Sequence, residues 1–128
     1  MKYLIDTHIL LWIISADPRL SKKVKKIYLN GENDINISIA SLWEISIKLS
    51  LKKITIDSSY EKFVQEHIIK NDIKILNITP PHIFRLNQLP FHHRDPFDRM
   101  IIAQGIEDNI IIISSDSTFD QYPIKRIF

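Results

Sequence analysis

Short apolar segments alternate with helical segments along the whole chain, and this order constrains the fold more than any other feature. The expected strands cover residues 2–5, 34–39, 73–78, 110–113 and, at a sheet edge, 124–128. The expected helices cover residues 7–15, 21–29, 40–51, 60–70, 80–89 and 96–107. Strands that alternate with helices pair in parallel through right-handed crossovers. The sequence therefore predicts an α/β fold, a three-layer α/β/α sandwich with a central parallel sheet of about four to five strands.

Capping signals support several of these boundaries. Asn30-Gly31 is a good stop signal for the second helix, and Asp57 is expected to cap the helix over residues 60–70. Asp95 followed by Pro96 is typical of an N-cap with proline at the first helical position. The β-branched run at residues 110–113 is typical of a strand that is covered on both faces.

Length and composition favour one compact domain. With 128 residues, 45% of them hydrophobic, a single domain over residues 1–128 is expected to bury roughly two-thirds of its unfolded surface. The chain has no cysteine, which excludes disulfides and thiolate metal sites and fits a reducing compartment. Asp6 and His8 interrupt the first apolar run before the ~18 to 20 residues that a membrane span needs. We therefore predict neither a signal peptide nor an anchor, and expect a cytoplasmic protein.

The net charge of +2 does not by itself identify a nucleic-acid partner. If several acids are gathered in one pocket, however, the remaining surface is more positive than this sum suggests. A phosphate backbone is then a plausible partner for the lysines on the predicted helices, although a solvated helix face is the favoured explanation for any single lysine. These lysines are Lys22, Lys23, Lys25, Lys26, Lys48, Lys52 and Lys53.

Five carboxylates occupy places where sequences normally avoid charge, either at the end of an apolar run or on an apolar helix. They are Asp6, Glu44, Asp95, Asp98 and Asp116. Burial of an unpaired carboxylate is costly, so a group of them near the core edge requires a positive charge between them. Ligands bind beyond the carboxyl ends of parallel strands, and Asp6 and Asp116 both follow such strands. A hard divalent cation such as Mg²⁺ held by oxygen ligands is the natural partner.

Each acid also has a structural alternative. Asp6 and Asp95 are placed to cap the helices that follow them, and Asp98 in a first turn gains from the helix dipole. Glu44 can pair with Lys48 four residues later, and Asp116 can form a turn through its side chain. If all five roles were structural only, acids would have to occur by independent coincidence at two strand ends and on two helices. We therefore favour a shared site.

The histidines are a second group of candidate functional residues. His92 and His93 precede Asp95, but there is no HExxH spacing, and adjacent histidines point apart on regular backbone, so a zinc site is disfavoured. His8 and Arg99 each follow an acid of the predicted cluster. Together with Lys48, they are the candidates for substrate contacts.

The segments LIDTH, ASLWEISIK, RDPFDRMIIAQ and ISSD occur in this order and resemble a PIN domain of the VapC-type toxin group. The resemblance covers nearly the whole chain and implies a parallel sheet flanked by helices and a Mg²⁺- or Mn²⁺-dependent endoribonuclease. It assigns Asp6, Glu44, Asp98 and Asp116 to the catalytic, metal-binding acids. Asp95 is a second aspartate before the Ile-Ala stretch, and its contact with the metal stays open.

The same resemblance implies a toxin–antitoxin pair, with a cognate antitoxin across the active cleft and a homodimer. Trp12, Trp43 and Phe97 either add apolar contact area at such an interface or fill the core. Gly105 stands where the family often has alanine, a departure that is expected to weaken its helix slightly.

Two other classes of protein share some of these features. A phosphoacceptor receiver domain has a similar length and an acidic Mg²⁺ site, but it requires paired acids after the first strand and an aspartate after the third. Here the first strand ends in Ile5-Asp6, and the third continues as ILNITPP without an aspartate. A PIN-fold module that binds RNA or protein without catalysis is the remaining alternative, and the intact acids argue against it.

Overall fold

The computed structural model describes residues 1–128, which form five strands and six α-helices. In chain order these are β1 (Lys2–Ile5), α1 (Thr7–Ser15), α2 (Lys22–Leu29), β2 (Asp34–Ser38), α3 (Ile39–Ser50), α4 (Tyr60–Val64), β3 (Lys74–Leu76), α5 (Pro80–Gln88), α6 (Pro96–Glu107), β4 (Ile111–Ile113) and β5 (Arg126–Ile127). A π-helical turn over Gln65–Ile69 continues α4, and a 3₁₀ helix over Ser117–Gln121 follows β4. None of the helices has the length and apolar character needed to cross a membrane.

All strand pairs of the five-stranded sheet are parallel, and the strands lie in the order β3-β2-β1-β4-β5. In the centre, Tyr3 of β1 is aligned with Ile35 of β2 and with Ile111 of β4. The chain builds the β2 side first and then crosses to the β4 side. The order of the strands therefore reverses beside β1, and the carboxyl ends of β1 and β4 border the crevice where ligands bind in such sheets.

Alternating side chains of β1 enter two separate apolar layers. Tyr3 and Ile5 pack into one core with Ile9 of α1, and Leu4 packs on the opposite face with Ile101 of α6. Because strand side chains point to opposite faces in turn, one apolar strand serves both layers. The predicted three-layer α/β/α sandwich is therefore confirmed.

The chain around α4 differs from the sequence-based expectation. Ser59, not Asp57, caps this helix, since Ser59 Oγ accepts the backbone N–H of Lys62 at 3.2 Å. The predicted single helix over residues 60–70 changes into a π-turn, whose last bond joins Lys70 N–H to Gln65 O at 3.0 Å. Periodicity does not reveal such a turn, because the apolar pattern is the same on both sides of it.

Gly105 has a packing role in addition to its effect on helix propensity. A Cβ at this position of α6 would lie 2.5 Å from Cδ1 and 2.9 Å from Cγ1 of Ile112 in β4. The close approach of α6 to the sheet therefore requires glycine. The expectation that Gly105 only weakens its helix was incomplete.

Candidate functional site

Two adjacent parallel strands end at acids of the predicted cluster. The backbone N–H of Asp6, the residue after β1, donates to Ile113 O at the end of β4, 3.1 Å away. Asp116 follows β4 by three residues and is held at the start of the 3₁₀ helix. Parallel pairing thus brings residues that are 110 positions apart in the sequence to one edge of the sheet, near the strand-order reversal.

Asp6 is almost fully buried and caps α1. Its Oδ1 accepts the N–H of Ile9 at 2.9 Å. Burial is the largest influence on this group and raises its pKa; hydrogen bonds from Ser114 and Ile9 offset part of the rise, and the charge of Asp116 adds to it. Asp6 therefore has the structural role that the sequence left open, and it also interacts with another acid of the cluster.

Glu44 connects α3 to the first turn of α1. Its Oε1 accepts the hydroxyl of Thr7 at 2.6 Å, and its Oε2 lies 3.2 Å from Nζ of Lys48. The predicted pairing with Lys48 is thus present, but the Glu44 side chain is only 10% exposed. A carboxylate has about four lone-pair sites, so these two contacts leave acceptor capacity for a further ligand.

Asp95 and Asp98 lie together at the start of α6. Asp95 Oδ1 accepts the N–H groups of Phe97 and Asp98 at 2.8 and 3.0 Å, so the predicted N-cap is present. Burial, the largest cause, and the charges of Asp95, Asp6, Glu44 and Asp116 together raise the pKa of Asp98 to about 8. The charges of the other four predicted acids therefore all act on Asp98.

His93 lies between two of these acids. Its Nε2 is 2.8 Å from Asp116 Oδ2 and 3.2 Å from Asp98 Oδ2. Its Nδ1 accepts the backbone N–H of Asp95 at 3.1 Å. Because Nδ1 is an acceptor, the hydrogen resides on Nε2, and His93 donates to the carboxylates. His93, Asp98 and Asp116 are the one group of histidine and acid side chains with potential ligand atoms within 4.8 Å of one another.

Tyr122 fixes the backbone of His93. The hydroxyl of Tyr122 accepts the N–H of His93 at 2.9 Å and donates to Pro90 O at 2.7 Å. His92 instead places its ring against the ring of Tyr122, with centroids 5.3 Å apart. The two adjacent histidines point apart, as expected, but the sequence-based reasoning set both aside and so missed His93. The useful signal was its position two residues before an N-cap aspartate of the cluster.

Asp116 combines a local turn with the contact to His93. Its Oδ1 accepts the N–H of Thr118 at 2.9 Å and thereby caps the 3₁₀ helix. Partial burial is the largest influence and pushes its pKa upward, but hydrogen bonds from Thr118 and His93 together outweigh it, and the pKa lies below its usual value. Asp116 therefore stays ionised beside Asp98, whose pKa is high.

The three predicted substrate contacts lie in different environments. His8 is exposed, and Lys48 is partly exposed and paired with Glu44. Arg99 is buried, and its guanidinium donates to the backbone carbonyls of residues 89, 90 and 93 at 3.4, 2.9 and 3.3 Å. These bonds hold the loop that carries His93. The expectation that Arg99 contacts substrate is therefore replaced by a role in positioning this loop.

The aromatic residues that the sequence left undecided are placed unequally. The Trp43 side chain is exposed (63%) and meets the half-buried Phe97 edge-on, with ring centroids 5.2 Å apart. Trp12 is half-buried, and its ring lies 4.8 Å from the guanidinium carbon of Arg19. Core filling therefore does not explain Trp43.

The chemistry of the donors fits a hard divalent cation. The cluster presents carboxylate oxygens from Asp6, Glu44, Asp98 and Asp116, while His93 donates from Nε2 to two of these acids. Oxygen-rich sites suit Mg²⁺ and Mn²⁺, and the chain has no thiolate to favour a softer metal. A cation at this position would remove the repulsion that raises the pKa of Asp98.

Comparison with known families identifies the fold to which this arrangement belongs. The family model for the PIN domain matches residues 3–125. The chain belongs to the PIN domain family. A comparison with curated proteins found no match.

Solved structures share this PIN fold at low sequence identity. VapBC2 from Rickettsia felis, bound to a DNA fragment from its promoter, has a TM-score of 0.73 at 17% identity, covering 99% of this chain and 98% of that one. DNA-bound VapBC from Salmonella typhimurium has a TM-score of 0.72 at 16% identity, covering 100% and 97%. FitAcB from Neisseria gonorrhoeae has a TM-score of 0.70 at 16% identity, covering 98% and 96%. These similarities establish the fold.

Proposed function

We propose that this PIN domain is a Mg²⁺- or Mn²⁺-dependent endoribonuclease that hydrolyses RNA phosphodiester bonds and acts as the toxin of a type II toxin–antitoxin pair. The observation that carries the proposal is that four other carboxylates lie near enough to Asp98, at the carboxyl edge of the sheet, for their charges to act on it. The burial and mutual repulsion that raise the pKa of Asp98 are unfavourable in a site with no cation. One or two bound divalent cations would offset the negative charge of these acids.

Asp98, Asp116 and Asp6 are the proposed metal ligands, either directly or through water. A bound divalent cation would orient and help ionise a water molecule and would neutralise charge on the phosphodiester. Asp95 contributes negative charge while its Oδ1 caps α6. His93 donates from Nε2 to Asp116 and Asp98, and so keeps their Oδ2 atoms turned towards the same point.

Glu44 is proposed to ligate the metal or to position the attacking water. The hydroxyl of Thr7 and the ammonium of Lys48 restrain its two oxygens, so the carboxylate has a defined orientation at the rim of the cluster. Restraint of this kind favours catalysis because the reacting water is held in place before the reaction begins. Thr7 is therefore a positioning residue for Glu44.

RNA is the proposed substrate, and positive side chains are available for its phosphates. Lys48 stands beside Glu44, and exposed His8 lies on α1 two residues after Asp6. The lysines on α2 line one shallow surface depression: Lys22, Lys23, Lys25 and Lys26. Lys48 and His8 are placed to contact phosphates beside the acids, whereas Lys22 and Lys25 lie with Ile13 and Ala16 at the C-terminal end of α1, where they suit a more distant part of a phosphate backbone.

The proposed partners are a cognate antitoxin and a second copy of the chain. Similar structures are VapBC complexes and FitAcB, and the similarity covers nearly the full length of both chains. A PIN-fold module that binds RNA or protein without cleaving is the alternative function. The acid cluster favours catalysis, since a binding module gains nothing from gathered, mutually repelling carboxylates.

Cleavage assays test the proposal directly. The purified chain is incubated with single-stranded RNA in Mg²⁺ or Mn²⁺, with EDTA as one control and Asp98→Asn as another. Asp57→Asn is the matched control, because Asp57 is exposed and remote from the cluster in sequence. We expect cleavage by the unaltered chain and Asp57→Asn, and a loss of at least ~100-fold in Asp98→Asn or EDTA. Cleavage that survives both EDTA and Asp98→Asn would overturn the assignment.

The toxin assignment has its own test. Induced expression of the unaltered chain in bacterial cells is expected to arrest growth, and expression of the equally abundant Asp98→Asn variant is not. If the two cultures grow equally while the purified chain still cleaves RNA, the nuclease assignment stands and the toxin assignment fails.

A further inference from the structure

Trp43, which is exposed, and Phe97, which is half-buried, form an aromatic pair between the two helices that carry Glu44 and Asp98. Trp43 precedes Glu44 in α3, and Phe97 precedes Asp98 in α6. Both helices begin at the carboxyl edge of the sheet, so the pair sits at the rim of the proposed active site. The rings meet edge-on with centroids 5.2 Å apart, a favourable geometry that holds the indole of Trp43 in place.

Packing within the chain does not explain the exposure of Trp43. Its side chain is 63% exposed, although burial of a large aromatic group is among the most stabilising events in folding. Its neighbours Glu44 and Ile45 are buried, and Leu42 is half-buried, so this part of α3 is otherwise well packed. An exposed aromatic surface next to catalytic groups is typical of a ligand contact.

We propose that Trp43, supported by Phe97, stacks on a nucleobase of single-stranded RNA whose phosphodiester lies at the acid cluster. The inference rests on the proposed function and deepens it, because it assigns a residue that binds and orients a base of the unpaired RNA. Every base has a π-face, so an aromatic platform binds single strands with little sequence preference. Bases within a duplex are already stacked and cannot use it.

The size and surroundings of the pair favour a nucleobase over a protein partner. Two aromatic side chains offer an area well below the ~800 Å² that each partner buries in a standard protein interface. The residues that follow the pair in sequence, Glu44 and Asp98, are acids of the cluster, and carboxylates suit a metal-bridged phosphate better than an apolar helix. Lys48, one turn further along α3 and partly exposed, can contact a neighbouring phosphate.

The test uses RNA binding without cleavage. In the full chain carrying Asp98→Asn, the Kd for a labelled single-stranded oligonucleotide is measured by fluorescence anisotropy with Mg²⁺ present. Adding Trp43→Ala is expected to weaken binding by about 5- to 150-fold, with Trp43→Phe retaining most of the affinity. Phe84→Ala is the matched control, because Phe84 on α5 is 65% exposed, and it should leave the Kd unchanged.

An abasic oligonucleotide separates stacking from general damage to the site. Removal of one base near the bound phosphate should weaken RNA binding by the Asp98→Asn protein that retains Trp43. The same removal should have little effect on RNA binding by the protein that also carries Trp43→Ala. The slope of log Kd against log salt should be the same in both proteins, since stacking does not neutralise phosphates. Unchanged affinity in Trp43→Ala, or an equal abasic penalty in the two proteins, would overturn the inference.

Two further outcomes distinguish this inference from its alternatives. If the unaltered chain binds RNA through Trp43 but does not cleave it, the proposed nuclease fails while the stacking site stands. If Trp43→Ala leaves RNA binding intact but abolishes binding of an antitoxin, the pair is a protein-docking site and the inference is wrong.

Discussion

The Nε2 atom of His93 lies 2.8 Å from Oδ2 of Asp116, and this bond connects the loop before α6 to the end of β4. The N–H of Asp95 occupies Nδ1 of the same ring, so the donor at Nε2 is fixed. Asp98 Oδ2 is 3.2 Å from that donor. One imidazole thus aligns two acids from different elements.

Replacement of His93 tests whether this alignment matters for activity. We expect His93→Ala to lower RNA cleavage by about 10- to 100-fold, the usual effect of removing a group that orients metal ligands. His93→Gln keeps a side-chain donor and should retain more activity than His93→Ala. Steady-state cleavage rates at saturating Mg²⁺ give the comparison, and full activity in His93→Ala would show that the contact is dispensable.

The raised pKa of Asp98 predicts how stability depends on pH in the metal-free protein. A carboxyl with a folded pKa of about 8 and an unfolded pKa of 3.8 stabilises the fold fully below pH 3.8, and this contribution is lost as pH rises towards 8. Asp98→Asn imitates the protonated form at every pH. In EDTA, urea unfolding should therefore show that the difference in free energy of unfolding, variant minus unaltered chain, increases by roughly 1–3 kcal/mol from pH 5 to pH 8.

If Asp98→Asn is more stable than the unaltered chain by the same amount at pH 5 and pH 8, or is the less stable of the two at pH 8, this account of Asp98 is contradicted. Asp57→Asn is again the suitable control, because it removes an exposed carboxylate without relieving the cluster. Its free energy of unfolding should follow that of the unaltered chain across the same pH range.

Metal affinity should increase with pH as Asp98 loses its proton, whereas the stability of the metal-free protein decreases. Since Asp98 must lose its proton to bind a cation, the Kd for Mn²⁺ should fall by up to ~10-fold per pH unit from pH 6 to about pH 8 and then level off. Calorimetry at pH 6.5 in two buffers of different ionisation enthalpy should detect close to one proton released per metal ion. An affinity that is independent of pH over this range would exclude Asp98 as the coupled ligand.

Gly105→Ala separates helix propensity from packing. Alanine favours the helix by about 0.5–1 kcal/mol, but its Cβ would lie 2.5 Å from the buried Cδ1 of Ile112, and overpacking of a core typically costs about 1–3 kcal/mol. We expect the variant to be less stable than the unaltered chain in urea unfolding. Adding Ile112→Val removes Cδ1 and should make the alanine better tolerated than it is alone; an increase in stability from Gly105→Ala by itself would show that Ile112 moves aside freely.

The fold was predictable because its determinants are local. Apolar runs ending at Asp6 and near Asp116 specify two strands, and the alternation with helices specifies parallel pairing. The N-cap at Asp95 and the Glu44–Lys48 pair also depend only on short-range spacing, and both are present in the structure.

The loop before α6 was not predictable in the same way. Its shape depends on Arg99 and on Tyr122, which is 29 residues from His93, and no local pattern reveals those bonds. The direction of Arg99 was within reach, however. Successive helical residues point about 100° apart, so the neighbour of an acid that faces the site tends to face elsewhere.

Crystals soaked in Mn²⁺ and recorded at its anomalous edge test the central claim most directly, because the signal locates the ion without reference to activity. We predict an anomalous peak within coordination distance of carboxylate oxygens of Asp98 and Asp116, on the side of the cluster that Asp6 and Glu44 border. The same soak of Asp98→Asn should give a weaker peak or none. Full Mn²⁺ occupancy elsewhere on the chain, with no peak at these acids, would contradict the account.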